Sequence, residues 1–219
     1  NDSNFESFNP NDESCRTKLS SELAKTNGLE QTNFHLQCSI KPYPYQQEIL
    51  DNLTAERELY GRYKNLVVAS TGVGKTIIAA LDYKRFRESH EHARLLFIAH
   101  RKEILSQSIQ KFREVLNDFN FGDLYVDGNR PTQIEYLFMS IQSFNSAHFT
   151  EYTSSDYYDF IIVDEFHHAA ANSYQELLNY YTPNILLGLT ATPERLDGKD
   201  ILNYFNGRDR KSTRLNSSH

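Results

Sequence analysis

Asn65-Leu-Val-Val-Ala-Ser-Thr-Gly-Val-Gly-Lys-Thr76 carries a strand, a turn and the start of a helix in one short stretch. The apolar, β-branched run Asn65–Ala69 reads as a buried strand, stopped by the glycines that follow. From Thr76 to Phe86 the pattern is helical. A glycine-rich turn between a strand and a helix is the setting of a phosphate-binding loop. Gly72 and Gly74 let the backbone come close to phosphate oxygens, and Thr71 and Val73 lie in the same N–H-bearing turn. Lys75 brings a mobile positive charge for the β- and γ-phosphates, and the Thr76 hydroxyl suits Mg²⁺. Ala69 occupies the place where the general pattern has its first glycine.

A second stretch completes the chemistry. Tyr158-Asp-Phe-Ile-Ile-Val163 reads as another buried strand, with Asp164 and Glu165 at its carboxyl end. Open parallel sheets gather ligands at the carboxyl ends of their strands. One carboxylate there can hold Mg²⁺ through its water shell while the next orients or deprotonates an attacking water. Asp164 is therefore expected at the metal and Glu165 at the water, with ATP and Mg²⁺ as cofactors.

Around these two stretches the chain alternates. Strands are expected at Asn65–Ala69, Arg94–Ala99, Gly122–Val126, Tyr136–Ser140, Phe160–Val163 and Asn184–Leu189. Helices are expected at Pro44–Glu58, Lys75–Glu88, Arg101–Asn117 and Ser173–Tyr180, the first opened by its proline. Such alternation gives the α/β class, a mostly parallel sheet with helices on both faces. No internal repeat is present.

Composition fits this class. The 219 residues are 39% hydrophobic and 24% charged, with a formal charge of −6, which excludes a uniformly basic nucleic-acid coat. No apolar run is long enough to span a membrane, and no secretory leader is visible. Cys15 and Cys38 lack metal-ligand spacing, so a reduced, cytoplasmic setting is expected. Residues 1–36, rich in Asn, Ser, Glu and Lys, read as a linker or the end of a preceding domain, with a short helix near Ser20–Lys25. The chain opens without Met, so it is expected to start inside a longer protein. Asp209–His219 reads as one translated frame of a common sequencing adapter. Without its three cationic and one acidic residues the formal charge moves from −6 to −8. The domain proper is thus expected over residues 37–208.

The order of motifs resembles the first RecA-like domain of a superfamily 2 helicase of the DEAD/DEAH type, with a P-loop NTPase fold. Ile40-Lys-Pro-Tyr-Pro-Tyr-Gln-Gln-Glu48 is similar to the family's glutamine motif, and Ala69–Thr76 to motif I. Phe97-Ile-Ala-His-Arg-Lys-Glu-Ile-Leu105 is similar to motif Ia, and Phe138-Met-Ser-Ile-Gln-Ser-Phe144 to the motif before the Asp-Glu strand. Asp164-Glu-Phe-His167 looks like motif II, and Leu187-Gly-Leu-Thr-Ala-Thr-Pro-Glu-Arg195 like motif III. The runs after Asp164 and after Leu189 look more narrowly like bacterial restriction- or repair-type helicases with an upstream phospholipase-D-like nuclease domain.

The resemblance implies roles. Gln46 would bind adenine; Tyr43 stands where the family often has Arg and could instead stack. His100, Arg101, Gln142 and Ser143 would contact nucleic-acid phosphates. Thr190 and Thr192, with His167, would couple the γ-phosphate to the strand site, while His168 is expected to pack or start a helix. The implied function is the ATP-binding half of an ATP-dependent helicase or translocase acting on nucleic acid, with double-stranded DNA favoured. A second RecA-like domain would lie outside this chain, leaving it poorly active alone. The alternative is an ATP-gated nucleic-acid-binding module without unwinding. A small-molecule kinase is disfavoured by the Thr-Ala-Thr and glutamine motifs.

Overall fold

The computed structural model describes residues 40–126, 128, 130–168, 172–191, 205 and 214–216. Thr192, both cysteines and the short helix expected near Ser20 lie outside them. The chain runs α1 (Pro44–Tyr60), β1 (Lys64–Val68), α2 (Lys75–Ser89), β2 (Leu95–Ala99), α3 (Lys102–Leu116), β3 (Asp123–Tyr125) and β4 (Tyr136–Ser140). It continues with α4 (Ile141–Ser146), a 3₁₀ turn at Phe149–Glu151, β5 (Phe160–Val163), a 3₁₀ turn at Phe166–His168, α5 (Asn172–Tyr180), β6 (Ile185–Thr190) and β7 (Arg214–Asn216).

Among the described residues seven strands form one sheet in the order β3-β4-β2-β5-β6-β1-β7, with each pairing parallel. The α/β expectation holds. Alternate residues of each strand face opposite layers. Val67, Phe97, Phe138, Ile162 and Leu187 pack toward α1, α2 and α3. Leu66, Ile98, Met139, Val163 and Leu186 pack toward α4, α5 and the 3₁₀ turns. The strands are thus covered on both faces, which explains why they read as unbroken apolar runs. β7 falls in the stretch set aside as adapter-derived. It pairs with β1 by backbone register, Leu66 opposite Arg214, as the open edge of a sheet accepts a passing chain.

β4 and β5 have the expected bounds, and the other expected strands shift by a residue or two at their ends. The expected helix Arg101–Asn117 is shorter, because both end residues are caps. Arg101 is extended (φ −113°) and Asn117 is left-handed (φ 54°). α4 had no sequence signal, since six residues are too few to show a period. Ser140 starts it, its Oγ accepting from the Ser143 N–H at 3.0 Å.

One buried polar cluster fixes the phosphate-loop helix to its neighbours. Arg57 of α1 donates to both carboxylate oxygens of Asp82 of α2, at 2.7 and 2.8 Å, and to Asn65 Oδ1 of β1 at 2.9 Å. Arg57 is 9% exposed and Asp82 2%. A planar guanidinium with three matched acceptors locks the register of three elements.

Candidate functional site

Because the sheet is parallel, all strands end on one rim, and strand order decides which loops are neighbours. Along that rim lie β4 with Gln142 and Ser143, β2 with His100 and Arg101, and β5 with Asp164 and Glu165. β6 with Thr190 and β1 with the glycine-rich loop follow. The nucleotide residues and the strand-contact residues named from sequence therefore occupy two ends of one edge, with the Asp-Glu loop between.

The loop has the backbone that its glycines allow. Gly72 (φ 87°) and Gly74 (φ 79°) are left-handed, and Gly74 caps α2. Thr71 is exposed, while Val73, Lys75 and Thr76 are half-buried. Lys75 Nζ donates to the Ala69 and Ser70 carbonyls at 3.0 and 3.2 Å. Burial pulls its pKa below the usual lysine range, opposed by the negative charges of Asp164 and Glu165.

Asp164 is nearly buried, and its Oδ1 accepts the Glu165 N–H at 2.8 Å. Desolvation raises its pKa above the ordinary carboxylate range; the Glu165 N–H and Lys75 work against the rise, and the Glu165 charge adds to it. A buried carboxylate that pays for desolvation would gain from a cation beside it, which favours its charged form. The chemistry of a Thr76 hydroxyl and an Asp164 carboxylate would suit Mg²⁺, with water and phosphate oxygens completing its shell. No cluster of three or more His, Cys, Asp or Glu side chains that could cage a metal occurs among the described residues. Glu165 sits in the left-handed region at φ 51°, a conformation a non-glycine residue keeps only when its surroundings impose it.

Gln46 is buried at 3% exposure and already engaged. Its Oε1 accepts the Tyr43 N–H at 3.0 Å and its Nε2 donates to the Val73 carbonyl at 3.1 Å, a carbonyl shared with the Tyr45 hydroxyl. The amide thus joins the start of α1 to the loop. Tyr43 stacks on Tyr45 with centroids 5.8 Å apart and planes 8° apart, presenting a flat aromatic surface beside them.

On the other side of the rim, His167 Nδ1 lies 3.2 Å from Thr190 Oγ1. The His167 and His168 rings are 4.1 Å apart, and those of His168 and His100 5.9 Å. His100 Nδ1 is 3.0 Å from Gln142 Nε2. A continuous chain of side chains therefore runs from Thr190 to Gln142. His168, expected to pack or begin a helix, is instead exposed in a 3₁₀ turn and forms a middle rung. Ser143 is occupied in capping α4, where it also accepts from the Ser140 hydroxyl at 2.8 Å. Arg101 is exposed at the start of α3.

Sequence reading missed Tyr174 of α5. Its ring is 1% exposed, and among the described residues its hydroxyl has no hydrogen-bond partner. Burial, with the charges of Glu165 and Asp164, pushes its pKa above the ordinary tyrosine range. A tyrosine at helical spacing looks like any core residue, so no sequence signal marks it.

The family described as "Type III restriction enzyme, res subunit" matches residues 39–195. The chain belongs to this family. Its relatives include the type I restriction enzyme EcoAI endonuclease subunit of Escherichia coli, 28% identical over 175 residues, covering 75% of this chain and 21% of the relative. Another is the ATP-dependent RNA helicase DHX58 of Mus musculus, 28% identical, with 68% and 24% covered. The chain thus spans about a quarter of these relatives' lengths. In fold it is similar to the Pyrococcus furiosus Hef helicase domain (TM-score 0.59, 22% identity, 75% of this chain and 36% of that one). The Sulfolobus solfataricus SWI2/SNF2 ATPase core, solved with double-stranded DNA, superposes at TM-score 0.64 with 14% identity, over 82% and 38%. As a member of the restriction-subunit family, the chain is a helicase ATP-binding domain, the first RecA-like domain of a superfamily 2 protein. Among the described residues no helix is long and apolar enough to cross a membrane.

Proposed function

We propose that this domain is the ATP-binding half of a DNA translocase or helicase, in which Mg-ATP hydrolysis drives movement along the nucleic acid. The carrying observation is the rim itself, where the loop after β1 and the Asp164–Glu165 pair after β5 flank Thr190 on the strand between them. Lys75 and the N–H groups of Thr71 to Thr76 bind the phosphates, and Thr76 with Asp164 holds Mg²⁺, which supplies charge neutralisation of the transferring phosphoryl group. Glu165 orients the attacking water. Gln46 meets the adenine, and His167 with Thr190 and Thr192 carries the state of the γ-phosphate toward His100, Arg101, Gln142 and Ser143 at the strand.

Double-stranded DNA is favoured over RNA by the likeness to an endonuclease subunit. The same likeness suits a nuclease domain upstream, and a second RecA-like domain outside this chain would complete the phosphoryl-stabilising site. Cys15 and Cys38, with no ligand spacing, suit the cytoplasm.

The test has two parts. The chain should bind Mg-ATP weakly and turn it over slowly, with binding lost in Lys75→Ala. The intact protein should show DNA-stimulated ATPase that Glu165→Gln abolishes while nucleotide binding survives. Rapid hydrolysis by the chain alone that Lys75→Ala leaves unchanged overturns the proposal.

A further inference from the structure

The chain enters α1 through Tyr43-Pro44-Tyr45-Gln46, and the proline sets the first helical turn. Tyr45 is half-buried in that turn, with its ring stacked on the ring of Tyr43. The stack limits where the Tyr45 hydroxyl can point. It donates to the Val73 carbonyl at 3.1 Å, beside the Gln46 amide, which donates to the same oxygen at 3.1 Å. One carbonyl of the glycine-rich loop is therefore held twice by the start of α1.

The peptide between Val73 and Gly74 is planar and trans, so its carbonyl and the Gly74 N–H point in opposite directions. With the carbonyl turned to α1, that N–H is turned away from α1. Little in the loop itself would keep it so, because Gly72 and Gly74 carry no Cβ to restrict their backbone. The carbonyls of Ala69 and Ser70 are held differently, by Lys75 Nζ at 3.0 and 3.2 Å. Lys75 would leave them on turning to a phosphate. Tyr45 belongs to α1, and its grip does not depend on Lys75.

We propose that Tyr45 is a positioning residue for the phosphates of the nucleotide, holding the Val73 carbonyl against α1 so that the Gly74 N–H stays turned out for the anion. N–H groups preset in this way bind an anion without first having to reorganise. This rests on the ATP-binding reading above and adds a role within it: Tyr45 serves the phosphates and not the base, although it adjoins Gln46.

The experiment is an NMR titration of the ¹⁵N-labelled 219-residue chain, in Mg²⁺, with ATP and with inorganic tripolyphosphate, which carries no base. In the unaltered chain the Gly74 amide signal should move with both ligands. Tyr45→Phe keeps the ring and deletes the donor. It should weaken both ligands by the same factor, about 2- to 12-fold, which is what one hydrogen bond is worth. The Gly74 signal should already be displaced before ligand is added, and the thermal midpoint should be unchanged. Unaltered affinity in Tyr45→Phe overturns the inference, as does a loss for ATP that spares tripolyphosphate. A thermal midpoint that falls along with both affinities assigns Tyr45 to stability alone and also overturns it. If the unaltered chain binds neither ligand, the ATP-binding reading itself falls.

Discussion

Gln46 and Gly74 interlock: a Cβ on residue 74 would lie 2.8 Å from the Gln46 amide nitrogen. The absence of a side chain at 74 is what lets the buried amide reach the Val73 carbonyl. Gly74→Ala combines this clash with strain at φ 79°. It should cost about 1–3 kcal/mol in denaturant melts and sharply weaken ATP binding. A chain as stable as the parent would mean that Gln46 moves away freely.

The Arg57–Asp82 pair should be expensive to halve and cheap to replace. Arg57→Ala leaves the Asp82 carboxylate buried without its partner and should cost about 3–5 kcal/mol. Replacing both by apolar residues of similar volume should recover most of that loss, less the Asn65 carbonyl left behind. Urea titrations of the single and double variants check this. A double variant as unstable as Arg57→Ala would show that the cluster stabilises through more than charge pairing.

Asp164 stores a pH-dependent cost. Its folded pKa is raised, so it favours folding while protonated, below its unfolded value of 3.8, and that contribution disappears as pH rises through the folded value. Asp164→Asn should therefore melt higher than the parent at pH 7, with a gain of about 2–4 °C for each kcal/mol. The gain should shrink as the pH is lowered into the carboxylate range, and Mg-dependent ATP binding should be lost. A Tm difference that does not vary with pH would remove the charge explanation.

Tyr174→Phe deletes a hydroxyl that has no partner among the described residues. Leaving such a group buried costs about 1–3 kcal/mol, so its removal should be neutral or stabilising in a thermal melt. A loss above about 1 kcal/mol would point to a hydrogen bond formed in solution.

The fold was legible because its signals are local. Leu66–Val68, Leu95–Ala99 and Phe160–Val163 are unbroken apolar runs, which only a sheet covered on both faces requires. Gly72 and Gly74 marked the loop for the same reason that they form it. What stayed hidden depends on strand order. Nothing in the spacing of His100, Gln142 and His168 says that β2 lies between β4 and β5, yet this adjacency makes them neighbours. Arg57, Asp82 and Asn65 look like ordinary surface residues until three elements meet. Gln46 was named for adenine from the resemblance, while its grip on Val73 appears only in three dimensions.

The all-parallel sheet also gives the molecule a back. Every described residue assigned to nucleotide or strand lies at the carboxyl ends of the strands or in the loops and helix starts beside them. The loops at residues 90–92 and 182–184 lie at the other end, separated by strands of about five residues, roughly 16 Å. A dye or surface tether at His92 or Asn184 would leave the working face open. The domain can then be held from behind with the edge that carries the glycine-rich loop left free.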